Sequence, residues 1–154
     1  MTGESPCATM IERYLCTRGR RFFRGAHDAE YFYVANARPR RLHVHLEVSH
    51  GDVLMIRIAP PCFFPAADRP RLVHFADEWN RQNHEVAAIV HDSSDPQRIG
   101  VVARRSQRIQ GHVTFEEFAW FVDRAIAAAI DLFGALNPVA DLPSTGQALL
   151  RDAG

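Results

Sequence analysis

Two stretches with an apolar core residue at every second position constrain the fold of this chain more than any other feature. They cover residues 42–48 and 53–58. The core positions are Leu42, Val44, Leu46 and Val48, followed by Leu54, Ile56 and Ile58. Period-two alternation indicates β-strands with one buried face. The polar turn between the two stretches indicates that they form an antiparallel hairpin.

The register of this hairpin depends on the length of its loop. A two-residue loop would pair Glu47 with Leu54 and mix the two faces, whereas a three-residue loop pairs Val48 with Leu54. With three residues, each core residue meets another core residue across the strands. The sequence therefore predicts a three-residue loop in which Gly51 or Asp52 adopts the left-handed conformation.

Two segments before and after this hairpin have the periodicity of amphipathic helices. The first covers residues 8–18, and Gly19 predicts its C-terminal stop. In the second, Asp68 is the predicted N-cap, Pro70 lies in the first turn and Trp79 is the last apolar position.

A third helix has the clearest start signal. Thr114 and Glu117 have the spacing of a capping box, in which each residue hydrogen-bonds the backbone N–H of the other. A continuous apolar stripe follows, and Gly134 predicts the end of the helix.

Several shorter apolar runs complete the pattern. Four runs predict strands, at residues 21–24, 31–34, 86–90 and 99–103. The prolines of segment 60–65 are expected to end the central hairpin, because proline cannot continue a ladder. The element order predicts an α+β fold, with one antiparallel sheet and helices on one of its faces.

The bulk composition bounds the class of protein. A chain of 154 residues predicts one domain, here over residues 8–136, with loose tails at 1–7 and 137–154. Lys+Arg and Asp+Glu both number 18, and a net charge of zero disfavours a dedicated nucleic-acid binder. The three cysteines form no CxxC pair, and we expect a cytoplasmic location. Cys16 and Cys62 fall at apolar positions of the pattern, where small buried side chains are common. The N-terminus has no signal-peptide pattern, and no apolar run could span a membrane.

The element order α-β-β-β-α-β-β-α and the sequence Trp79-Asn80-Arg81 at the end of the middle helix resemble one known family. Residues 10–136 are similar to the YbjN-like domain family, which has a type III secretion chaperone-like fold. The family is described as sensory-transduction regulators, and the wider fold includes secretion chaperones. The resemblance implies no reaction and no cofactor.

Trp79, Asn80 and Arg81 allow two interpretations. In the favoured one, Trp79 is the last core residue of its helix, and Asn80 satisfies backbone groups near the helix end. Arg81 then pairs with a carboxylate or with the free carbonyls of the helix end. In the other, Asn80 and Arg81 form a recognition point for a protein partner.

Three residues of one strand face form the best metal candidate in the sequence. His43, His45 and Glu47 recur at spacing two, and two imidazoles with a carboxylate can hold a divalent metal. The predicted register places Arg57 opposite His45, and a guanidinium there disfavours a cation. We therefore favour a solvated strand face. The other histidines are scattered, and a small enzyme that uses them remains a third alternative.

A basic segment between residues 18 and 41 has three interpretations. Its arginines are Arg18, Arg20, Arg21, Arg24, Arg38, Arg40 and Arg41. Solvated edge residues are the first, a face for an acidic protein is the second, and nucleic-acid binding is the third.

Apolar residues outside the expected core predict an interface. Trp120, Phe121 and Leu132 lie off the main stripe of the last helix, and Met55 lies on the exposed strand face. A helix that is apolar on more than one side is either deeply buried or part of an interface. The sequence therefore predicts a non-enzymatic, protein-binding chaperone or regulator that forms a homodimer and uses no cofactor or catalytic residue.

Overall fold

The computed structural model describes residues 6–27, 29–37, 40–49, 52–109 and 112–141. Within these residues, three helices and seven strands follow one another. Their bounds are α1 Pro6–Thr17, β1 Phe22–Arg24, β2 Glu30–Ala37, β3 Arg40–Ser49, β4 Val53–Ala59, β5 Phe64–Pro65, α2 Arg69–Gln82, β6 Ala87–Asp92, β7 Arg98–Arg108 and α3 Phe115–Asp141. A short 3₁₀ turn, Ala66–Asp68, leads into α2. None of the described helices is long and apolar enough to cross a membrane.

All strand pairs are antiparallel and belong to one sheet. The strand order is β1-β2-β3-β4-β7-β5, and β6 pairs with β7. In the central hairpin, Val48 pairs with Leu54 and Ser49 pairs with Val53, so the predicted three-residue loop is confirmed. Asp52 has φ 58° and occupies the left-handed position, whereas the alternative, Gly51, lies outside the described residues.

The three helices pack on one face of this sheet, as the sequence predicts. The buried apolar side chains of the four central strands all lie on this face: Tyr31, Tyr33, Ala35, Leu42, Val44, Leu46, Leu54, Ile56, Ile58, Ile99, Val101 and Ala103. Helix α3 contributes Phe118, Val122 and Phe133 to the same core. The opposite face carries the alternate residues and is called the open face below; it includes Phe32, Val34, His45 and Glu47.

Several sequence predictions differ from the structure. Helix α3 does not end at Gly134 but continues to Asp141, because Leu136 still reaches the core. Asp68 occupies the N-cap position of α2 without a side-chain capping bond, and its backbone is helical rather than extended. Cys16 and Cys62, which were expected at buried apolar positions, are exposed free thiols.

Strand lengths also differ from the prediction. Strand β2 extends three residues beyond the predicted Val34, to Ala37, and β7 continues from Ala103 to Arg108. Strand β5 was not predicted; its residues Phe64 and Pro65 pair with the start of β7. Proline is tolerated there because β5 lies at an edge of the sheet.

The predicted capping box of α3 is confirmed. The Thr114 N–H donates to Glu117 Oε1 at 3.0 Å, and the Glu117 N–H donates to Thr114 Oγ1 at 3.1 Å. Backbone N–H groups at the start of a helix have no acceptor inside the helix. The two bonds provide acceptors for the N–H groups of Thr114 and Glu117.

Thr114→Ala should therefore lower the free energy of unfolding by about 1 kcal/mol, because the cap acceptor is lost. Thr114→Ser keeps the hydroxyl and should change stability by less than about 0.5 kcal/mol. Urea unfolding of both variants measures the difference. Equal stability of the alanine variant and the wild type would contradict the assignment of this cap.

Candidate binding surfaces

The Trp79-Asn80-Arg81 sequence forms the junction between α2 and β6. The Trp79 indole Nε1 donates to the Val86 carbonyl at 3.0 Å. The Asn80 side-chain Nδ2 donates to the Ala88 carbonyl at 3.0 Å, and its Oδ1 accepts the Ala88 N–H at 2.7 Å. Asn80 thus bonds both backbone groups of one residue on β6, as a neighbouring strand would.

This geometry supports the structural interpretation with one correction. Asn80 bonds the backbone of the strand, whereas the helix end is closed by Asn83, which donates to the Trp79 carbonyl from both its N–H and its side chain. Arg81 pairs with the Glu78 carboxylate at 2.6 Å, as expected. Recognition of a partner by Asn80 would require breaking its two bonds to Ala88.

An apolar groove lies between the start of α3 and the end of β7, and we call it the α3 groove. Its volume is about 610 Å³. The lining residues are Arg105, Gln107, Arg108, Ile109, Val113, Glu116, Glu117, Phe118, Trp120 and Phe121. Trp120 is 61% exposed and Phe121 is half-buried, whereas Leu132, predicted to be at an interface, is fully buried in the core.

Charged side chains hold the aromatic rings at the rim of the α3 groove. The Arg124 guanidinium lies 4.8 Å from the centre of the Trp120 ring, and the Arg105 guanidinium lies 5.0 Å from that of Phe121. The Glu85 carboxylate bonds Arg124 at 2.8 Å and lies 3.9 Å from Arg105. Its hydrogen bond to Arg124 lowers the pKa of Glu85, so this carboxylate stays charged at neutral pH.

The open face brings together only part of the predicted metal triplet. His43, His45 and Glu47 lie on this face as expected, and Arg57 is directly opposite His45. His43 is exposed, whereas the His45 ring is stacked on Phe32 and bonds the Glu30 carboxylate at 2.9 Å.

A different group on the open face has the spacing of a metal site. One ligand atom each from His27, Glu30 and Glu47 lies within 4.8 Å of the other two, and we call these residues the His27 cluster. Sequence reasoning missed His27 and Glu30 because the predicted strand at 31–34 began after Glu30. The pairing of Glu30 with Glu47 in the β2–β3 ladder would have revealed this neighbour.

Met55, the remaining predicted partner residue, is half-buried on the open face opposite Glu47. Phe32 and Val34 are exposed on the same face, at 42% and 43%. The open face therefore has apolar as well as charged positions.

The arginines of segment 18–41 are dispersed and partly neutralised. Arg18 pairs with Asp123 at 2.6 Å, and Arg24 pairs with Glu12 at 2.9 Å. Arg20 lies over the Tyr33 ring at 5.9 Å. Arg21 and Arg41 are exposed; Arg38 and the side chain of Arg40 lie outside the described residues.

Comparison with known proteins shows the family. The YbjN family, described as "putative bacterial sensory transduction regulator", matches residues 8–138 of this chain. The chain belongs to the YbjN family. No curated protein matches it significantly by sequence.

Two solved structures share the YbjN-like fold of this chain. The crystal structure of YbjN from E. coli, described as "a putative transcription regulator", superposes with a TM-score of 0.65 at 18% identity, covering 84% of this chain and 90% of that chain. An uncharacterised protein from Methanothermobacter thermautotrophicus superposes with a TM-score of 0.53 at 13% identity, covering 87% of this chain and 99% of that chain. At these identities the similarity establishes the fold alone.

Proposed function

We propose that this YbjN-family protein is a cytoplasmic, non-enzymatic regulator that acts by binding protein, as a homodimer whose two copies meet at the α3 groove. The exposed Trp120 beside an apolar groove is the observation that supports this proposal most directly. Large exposed apolar patches on a folded domain mark interaction sites. The exposed free thiols of Cys16 and Cys62 are consistent with a reducing compartment.

A second copy of this chain suits the α3 groove because the surface contains both a projection and a hollow. In a two-fold dimer the same patch of each copy faces the other. A projecting residue and the hollow that receives its counterpart from the other copy must therefore lie next to each other on the same copy. Trp120 projects from α3 next to the hollow lined by Val113 and Phe121. Two copies related by an axis near Trp120 would each insert this ring into the groove of the other.

The rim of the groove also suits protein binding. Arg105, Arg124 and Glu85 form a charged network around the aromatic rings, and interfaces commonly have an apolar centre with a polar rim. The network holds the Trp120 ring against the Arg124 guanidinium before any partner arrives. A ring that is already positioned loses less conformational entropy on binding.

Trp120→Ala should raise the dimer dissociation constant about 30-fold, because central tryptophans contribute roughly 2 kcal/mol or more to interfaces. Sedimentation equilibrium of the untagged protein over a wide concentration range measures this constant. Phe23→Ala is the matched control: Phe23 is even more exposed, at 73%, but lies on β1 at the far end of the sheet. It should leave the dissociation constant unchanged within about threefold.

A wild-type protein that stays monomeric at every concentration would rule out the dimer. A dimer that weakens equally in the Phe23 and Trp120 variants would place the interface elsewhere. Circular dichroism of both variants confirms that they are folded.

Nucleic-acid binding by segment 18–41 has less support. The E. coli protein is described as "a putative transcription regulator", which favours this alternative, but Arg18 and Arg24 are each bonded to a carboxylate. A basic residue that is already paired must give up that partner to bind a phosphate.

A further inference from the structure

We propose that the open face of the sheet holds a site for one divalent transition-metal ion. Its ligands are His27, Glu30 and Glu47, and His45 positions Glu30. The site lies on β2, β3 and the turn before β2. It is separate from the α3 groove, which lies on the helix side of the sheet.

Two carboxylates face each other on neighbouring strands of the open face. Glu30 and Glu47 are directly opposite each other on β2 and β3, and both are half-buried. Side chains at such positions have Cβ atoms about 5 Å apart, and like charges there are unfavourable. A cation between the two carboxylates converts this repulsion into attraction.

An imidazole lies close to the same two carboxylates. The turn before β2 brings His27 to the two carboxylates, so that one ligand atom from each of the three residues lies within 4.8 Å of the others. Ligand atoms around a tetrahedral zinc ion are about 3.4 Å apart, given bonds of about 2.1 Å. His27 is exposed, so its side chain has room to rotate towards the two carboxylates when an ion binds.

A neighbouring histidine holds the Glu30 carboxylate in place. His45 Nε2 donates to Glu30 Oε2 at 2.9 Å, and the His45 ring is itself stacked on Phe32 with centroids 4.6 Å apart. A hydrogen bond from a fixed second residue is a common way to orient a ligand carboxylate. His45 thus acts as a positioning residue, because it fixes one oxygen of the Glu30 carboxylate.

The Glu30 side chain also packs closely against Gly25. A Cβ atom at Gly25 would lie 2.1 Å from Glu30 Oε1, so the carboxylate occupies space that only glycine leaves open. The Gly25 N–H also donates to the Glu30 carbonyl at 2.7 Å. Backbone and side chain of Glu30 are therefore both held in place by the turn.

The ligand set indicates the class of metal. One imidazole with two carboxylates suits zinc, manganese or iron, whereas calcium and magnesium prefer oxygen ligands alone. Arg57, opposite His45, forms no ion pair with Glu47 within the described part of the chain. This guanidinium is exposed and can turn towards solvent when a cation binds.

Isothermal titration of the untagged, chelator-treated protein with Zn²⁺ tests the proposal. We expect one saturable site per chain. Glu47→Gln and His27→Ala should each weaken binding by well over tenfold because each removes a ligand, and His45→Gln should weaken it about tenfold, as loss of a supporting residue does. His74→Ala, an exposed histidine on α2, is the control and should leave the affinity unchanged.

Gly25→Ala distinguishes this site from nonspecific binding to surface histidines. It removes no ligand, yet its methyl group displaces the Glu30 carboxylate, so binding should weaken by about tenfold or more. Co²⁺ in place of Zn²⁺ should give an absorption band that Glu47→Gln abolishes. Absence of a one-per-chain site in the wild type would overturn the proposal, and so would an affinity that depends on His74 but not on Glu47. Thermal unfolding without metal verifies that each variant folds.

Discussion

Replacing Asn80 by alanine should lower the free energy of unfolding by about 3 kcal/mol. The Asn80 amide is bonded to both the N–H and the carbonyl of Ala88, a buried residue. Removing the amide leaves the N–H and the carbonyl of Ala88 without these hydrogen bonds. Each unsatisfied buried group costs roughly 1–3 kcal/mol. Strand β6 pairs only with β7 among the described strands, so the same change also uncovers an edge of the sheet.

Two neighbouring variants make this prediction specific. Trp79→Phe keeps an aromatic ring but loses part of the indole and the N–H that donates to Val86, and should cost about 1–2 kcal/mol. Arg81→Ala removes only an exposed pair with Glu78 and should cost less than about 0.5 kcal/mol. Guanidinium unfolding of the three variants measures the order. A loss for Asn80→Ala no larger than that for Arg81→Ala would contradict the structural role of Asn80.

The features of the fold that could be predicted are set by residues close to one another in the sequence. The register of the central hairpin follows from a side-chain period of two, since a shift of one residue would move Leu54 and Ile56 to the open face. The start of α3 follows from Thr114 and Glu117, because a capping box acts within a single turn.

The parts that were not predictable depend on contacts made across the fold. Gly134 would stop an isolated helix, but a glycine inside a helix costs only about 1 kcal/mol relative to alanine. Burial of Leu136, which lies beyond Gly134, outweighs that cost, and α3 continues to Asp141. The exposure of Cys16 also depends on packing, since its position in the helical pattern suggested an apolar contact.

The candidate sites divide in the same way. Trp120 was identified from the sequence because it lies off the apolar stripe of its own helix, and the structure leaves it 61% exposed. Of the His27 cluster, the sequence pattern identified only Glu47, together with the supporting His45, because these two residues lie on the same strand. Glu30 comes from the next strand and His27 from a turn. A ligand set drawn from three elements is found only once the strand pairing is known.

The position of the two proposed sites allows them to work independently. The α3 groove lies on the helix side at β7, and the His27 cluster lies on the open face at β2 and β3, with β4 between these strands. A metal ion at the cluster would therefore leave the groove uncovered. We expect Zn²⁺ to leave the dimer dissociation constant unchanged, so the two proposals can fail separately.

Asp123→Ala should lower the free energy of unfolding by about 2.5 kcal/mol, because Asp123 ties α1 to α3. The buried Tyr14 hydroxyl donates to Asp123 Oδ1 at 2.5 Å, and the Arg18 guanidinium donates to Oδ2 at 2.6 Å. A hydrogen bond to a charged group contributes roughly 1.5–3 kcal/mol, whereas the partly exposed pair with Arg18 adds about 0.5 kcal/mol or less. Burial raises the pKa of Tyr14, so its phenol remains a donor throughout the neutral range.

A double-mutant cycle separates the Tyr14 bond from the rest of the loss. Tyr14→Phe removes the hydroxyl and keeps the ring that packs edge-on against Phe118. If the bond carries most of the effect, Asp123→Ala should cost about 1–2 kcal/mol less in the Tyr14→Phe background than in the wild type. Asp131→Ala changes an exposed aspartate of the same helix and should stay within about 0.5 kcal/mol of the wild type. Additive losses for Tyr14 and Asp123 would show that their hydrogen bond does not stabilise the contact between α1 and α3.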